Sequence, residues 1–161
     1  MNKILTEKLD ELKIKYFTKK IDVKGKDFIF IYTTVPNNED TDKTSKSCDD
    51  KEIEIIVWFM DKKQTPFLCF YVSDVFSVPS NKRRQVKNFL LNHNSINAMG
   101  SFSLRTRNRS VEFNFGVVLT YHESEQPIEI ANLQTYLDLV KTVINSVTGE
   151  LKKITDESYE E

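Results

Sequence analysis

Apolar residues change their spacing at a few sharp points along the chain, and those points divide it into elements. From Asn2 to about Lys20, Leu5, Leu9, Leu12 and Tyr16 recur at intervals of four, three and four, with Ile4 and Ile14 beside the stripe. Intervals of three and four follow from about 3.6 residues per helical turn, so the spacing predicts one amphipathic helix over residues 2–20. After a Lys/Asp-rich turn at Gly25, Phe28-Ile29-Phe30-Ile31-Tyr32-Thr33-Thr34-Val35 is a β-branched and aromatic run that stops at Pro36, which has no N–H to give a ladder. It is the first expected strand. Residues 37–51 carry no large apolar side chain and have nothing to offset the entropy of ordering, so they are expected to form a mobile polar loop.

Beyond that loop, Ile53–Met60 and Phe67–Val72 flank Asp61-Lys62-Lys63-Gln64-Thr65-Pro66, which suits an antiparallel hairpin. Pro79-Ser80-Asn81 introduces a helix over Lys82–Asn92, with Val86, Phe89 and Leu90 on one face and Ser80 or Asn81 as its N-cap. Period-two alternation returns in Ser101–Arg105 and from Val111 to Tyr121, around a turn at Arg107-Asn108-Arg109. Past Pro127, the stripe Ile130, Leu133, Leu137, Val140 and Ile144, widened by Val143, Val147 and Leu151, predicts the closing helix. Gly149 weakens its end, and the acidic tail 155–161 is expected to be disordered.

The order is helix, three strands, helix, two strands, helix. Hairpins segregated from helices give an α+β class with an antiparallel sheet of about five strands, in a single domain spanning 1–154.

Both central strands are apolar on both faces. Ile53, Ile55, Val57 and Phe59 alternate with Ile56, Trp58 and Met60, and Phe67, Cys69 and Tyr71 with Leu68, Phe70 and Val72. A sheet with one solvated face should alternate apolar with polar, so the second face calls for a cover that helices on one side do not supply. Trp58 and Met60, with Phe70 and Val72, are the residues expected at a dimer or partner interface, where aromatic and methionine side chains are common anchors.

Charge narrows the alternatives. With 23 basic and 24 acidic residues no global field draws the chain to nucleic acid or to an anionic membrane. Two local basic clusters remain, Lys82-Arg83-Arg84 and Arg105, Arg107 and Arg109, and they carry the alternative reading of a nucleic-acid or anion-binding regulator.

The two cysteines, Cys48 and Cys69, are too few and too differently placed for a disulfide framework or a zinc cluster and are expected as free thiols. The start of the chain turns charged at once, and nowhere do enough apolar residues run together to span a bilayer, so a cytoplasmic location is expected.

Catalysis has little to work with. His93 at a helix end and His122 after a strand lack a nucleophile or a carboxylate pair beside them, and they show no metal-ligand spacing with Cys69. Four scattered glycines cannot form a phosphate-cradling loop, and Gly100 is expected to give a left-handed exit from the second helix. The chain is therefore expected to be non-enzymatic and to need no cofactor or metal.

Asn94, then Ile96-Asn97-Ala98-Met99-Gly100-Ser101-Phe102-Ser103-Leu104, then Val111-Glu112-Phe113, and a long helix opening near Ile130-Ala131-Asn132-Leu133 form an ordered set. This set resembles the YbjN family of bacterial sensory-transduction-like proteins, whose fold is similar to that of type III secretion chaperones. The opening helix and first three strands agree in order, and residues 37–51 look like an insertion. The resemblance implies a chaperone-like fold and a dimerising module that binds another polypeptide or modulates a stress or secretion pathway. It transfers no catalytic residue.

Overall fold

The two longest apolar runs form the central strands of one antiparallel sheet. In the computed structural model, which describes residues 2–21, 26–35, 51–62, 65–97, 99–120 and 128–156, these are β3 (Lys51–Lys62) and β4 (Thr65–Ser77). Around them lie α1 (Asn2–Glu11), β1 (Tyr16–Ile21), β2 (Lys26–Val35), α2 (Arg83–Ile96), β5 (Ser101–Arg105), β6 (Ser110–Val118), the short α3 (Ile128–Ala131) and α4 (Leu133–Asp156). Six strands pair in the spatial order β1-β2-β3-β4-β6-β5. The α+β class stands, with six strands rather than five among the described residues, and four rather than three before the second long helix.

The extra strand comes from the segment expected to complete the first helix. α1 stops at Glu11, Lys13 turns into the left-handed region at φ 56°, and Tyr16–Ile21 pairs antiparallel with β2 from Tyr16 opposite Ile31 to Ile21 opposite Lys26. Tyr16 fits a helical stripe and a strand equally well, whereas Phe17 and Thr18 favour a strand. Pairing with β2 decides in favour of the strand.

One face of the sheet makes the core. Ile29 and Ile31 of β2, Ile55 and Val57 of β3, Leu68, Phe70 and Val72 of β4, and Phe113 of β6 are all buried. Leu5 and Leu9 of α1, Val86 and Leu90 of α2, and Leu133, Leu137, Val140, Ile144, Val147 and Leu151 of α4 complete the cluster. The α4 set steps by four and three along its whole length, which lays one continuous stripe across the strands. Gly149 lies inside this helix with nothing within 4 Å of where a Cβ would stand.

Several boundaries move. Ser80 and Asn81 do not cap α2: with Lys82 they form a 3-10 turn, and Lys82, the N-cap, makes no side-chain capping bond. Ser80 Oγ instead accepts from Arg109 Nη1 at 3.1 Å. α2 runs on to Ile96, and Gly100, at φ +83°, sits past the C-cap Asn97, turning the chain into β5 rather than ending the helix. Lys51 already belongs to β3, and Thr155 and Asp156 still belong to α4; the polar segment 36–50 and the tail 157–161 lie outside the described residues, as do Cys48 and His122. Among the described residues no helix is long and apolar enough to cross a membrane.

Candidate protein-binding surfaces

The opposite face of the sheet carries no helix among the described residues, yet it is not polar. Alternation sends Phe17 of β1, Phe28 and Phe30 of β2, Ile56, Trp58 and Met60 of β3, and Phe67 and Cys69 of β4 to this side. Their rings meet across strands: Phe17 stacks on Phe30 with centroids 4.7 Å apart and on Tyr32 at 5.4 Å, and Phe28 meets Trp58 at 5.6 Å. On this face Phe30 and Cys69 are buried, while Phe17 stays 39% exposed, Tyr32 53% and Val118 51%. Next to Trp58 and Met60 the face dips into a hollow of about 470 Å³. Gly116 lies beside it, with nothing within 4 Å of the place a Cβ would take.

The four residues expected at an interface do not share this face. Trp58 pairs with Cys69 and Met60 with Phe67, and these lie on the open side. Phe70 pairs with Val57 and Val72 with Ile55, so both point into the core, where they are fully buried against the helices. Phe17, Phe28 and Phe30 take their place.

Toward β5 the apolar face ends in a polar cluster. Tyr71 donates its hydroxyl to Glu112 Oε1 at 2.7 Å, and Arg105 Nε reaches the same oxygen at 2.7 Å. Burial, and then the Glu112 carboxylate, push the Tyr71 phenol up to about 12. At the far side, the carboxylate of Glu54 and partial burial likewise raise the Tyr32 phenol above its ordinary range. Two carboxylate-bound tyrosines thus flank the aromatic patch.

The basic residues are divided among different environments. Arg105 is paired on the open sheet face, Arg109 is tied to Ser80 at the turn, Lys82 is buried, and Arg107 is exposed. Arg83 and Arg84 begin α2, on the helix side of the β5 edge.

His93 sits in the last turn of α2, as its place at a helix end implied, and is half-buried. Its ring packs on Phe89 at 5.8 Å and edge-on to Phe102 at 5.5 Å, and Nε2 accepts from Asn97 Nδ2 at 2.9 Å. Among the described residues no group of three His, Cys, Asp or Glu side chains is placed to hold a metal ion.

Asn94, a residue of the resemblance, does something its position in the sequence did not reveal. Its Nδ2 donates to the Phe102 carbonyl at 2.7 Å, and its Oδ1 accepts from the Phe102 N–H at 2.9 Å. The side chain thereby imitates a neighbouring strand at one residue of the sheet edge. No family model, no curated protein and no solved structure matches the chain.

Proposed function

We propose that the chain is a non-enzymatic, chaperone-like protein-binding module of the YbjN kind, working in the cytoplasm as a homodimer joined through the helix-free face of its sheet. The observation that carries this reading is the apolar, largely aromatic patch of Phe17, Phe28, Phe30, Trp58 and Met60, which no element among the described residues covers. Phe17 is exposed and Phe28, Trp58 and Met60 are half-buried, and apolar area left in water is unfavourable and marks an association surface. A second copy is the simplest occupant, because a two-fold axis sets the same patch against itself and two sheets pack face to face about 10 Å apart. The dimer then offers its remaining apolar surface to a partner polypeptide.

Trp58 is the only tryptophan, so it reports on its own interface. Light scattering at micromolar concentration should give twice the chain mass, and dilution should shift the Trp58 emission to the red as the face is wetted. Trp58→Glu should yield a folded monomer. A monomer at all concentrations with constant emission overturns the proposal.

A further inference from the structure

A second surface lies at the β5 edge, on the helix side. Between α2 and β5 runs a groove of about 530 Å³, with Leu90, Leu91, Phe102 and Leu104 forming its apolar lining and Arg83, Arg84 and Lys87 bordering it. Leu90 and Phe102 are buried beneath it, while Leu91 is 58% exposed to it. The three cations fall on consecutive turns at the start of α2, where like charges repel one another and the helix dipole disfavours them, and the first turn holds no acidic residue. None of the three has an ion-pair partner among the described residues, in a chain whose net charge is only −1. The groove is complementary to an anion that carries apolar surface.

The backbone of β5 adds the third component. Because Asn94 occupies both the N–H and the C=O of Phe102, these groups point away from β6. In an antiparallel ladder the outward-pointing residues alternate, and the β5–β6 register is regular, so Leu104 also turns its N–H and C=O outward. Among the described residues these two groups have no partner. Asn94 closes the edge at one end and leaves it open beside the cations.

We infer that this groove is a docking site for an extended acidic segment of a partner polypeptide, which adds to β5 at Leu104. Side chains of such a segment alternate, so two positions apart both face α2. An apolar side chain enters among Leu90, Leu91 and Phe102, and the acidic side chain next on that face meets Arg83, Arg84 and Lys87. The inference rests on the reading of the chain as a polypeptide-binding module but uses a surface separate from the dimer face. Asn94 restricts the added strand to a short register and prevents β5 from templating open-ended pairing.

Fluorescence anisotropy on the full chain tests it, with the labelled peptide Thr-Leu-Thr-Glu-Thr-Glu and its reversed sequence, which covers both strand directions. At low salt one of the two should bind saturably. Its affinity should fall by about tenfold or more with Arg84→Glu/Lys87→Glu, with serine in place of the peptide's leucine, and with N-methylation of the peptide backbone beside it. Both substituted residues are exposed, and circular dichroism verifies that the variant folds. No binding by either peptide, or binding unchanged by the charge reversal, overturns the site. So does tight binding of sodium dodecanoate or of a DNA duplex with none of the peptides. Light scattering on the same samples separates the two proposals, since a dimer that binds no peptide refutes only the groove, and a peptide-binding monomer refutes only the dimer face.

Discussion

Tyr71 stands where the aromatic face meets its polar rim, and its raised phenol has a pH consequence with a definite sign. Folding favours the protonated form, because burial and the Glu112 carboxylate both disfavour phenolate. That contribution is complete below the ordinary phenol value of 10.0 and is lost as pH rises toward about 12. The urea midpoint should therefore fall across that window, and Tyr71→Phe should flatten the fall; an equally steep decline in the variant would remove Tyr71 as the cause. Gly100 gives a second residue-level outcome. At φ +83° a Cβ would stand 2.6 Å from the Asn114 carbonyl oxygen and 2.6 Å from the Phe113 ring, so Gly100→Ala combines backbone strain with a clash. It should cost about 1–3 kcal/mol or more, visible as a lower thermal midpoint. A left-handed glycine was legible from its place between a helix and a strand, but the close approach to β6 needed the fold.

Among the elements, α4 was the most legible, since its buried positions repeat at helical spacing with no competing pattern. β1 was the least, because Tyr16 extends the α1 stripe and only pairing with β2 distinguishes the two readings. Side-chain facing in the β3–β4 hairpin depends on its register. The register sets Met60 opposite Phe67 and therefore places Cys69, not Phe70, beside Trp58. A one-residue change of register moves every side chain to the other face, which is why Phe70 and Val72 joined the core instead of the open side. Asn94 defines the β5 edge in the opposite sense, by side-chain chemistry that no periodicity reports. Asn94→Ala removes two hydrogen bonds worth about 0.5–1.5 kcal/mol each, and the freed edge should also raise aggregation on concentration. Chemical denaturation with turbidity measures both effects, and a soluble variant of unchanged stability would show that Asn94 guards nothing.

At the scale of the molecule, the two proposed surfaces differ in physical origin and should respond differently to salt. The sheet face is aromatic and the chain nearly neutral, so dimerisation should change little between about 0.05 and about 0.5 M salt, whereas docking beside Arg83, Arg84 and Lys87 should weaken as screening shortens. Sedimentation and anisotropy over that range check the contrast, and a salt-labile dimer would point to charges rather than rings. The strand order carries a kinetic consequence as well. β1 to β4 lie side by side in the order in which they occur in sequence, but β6 reaches β4 only after α2 and β5 intervene, with Phe70 meeting Phe115. Joining that seam closes a long loop before its contacts return any stabilisation, so the barrier to folding should sit there. Phe113→Leu should then slow refolding, while Phe17→Ala at the sequential edge should leave refolding nearly unchanged and hasten unfolding.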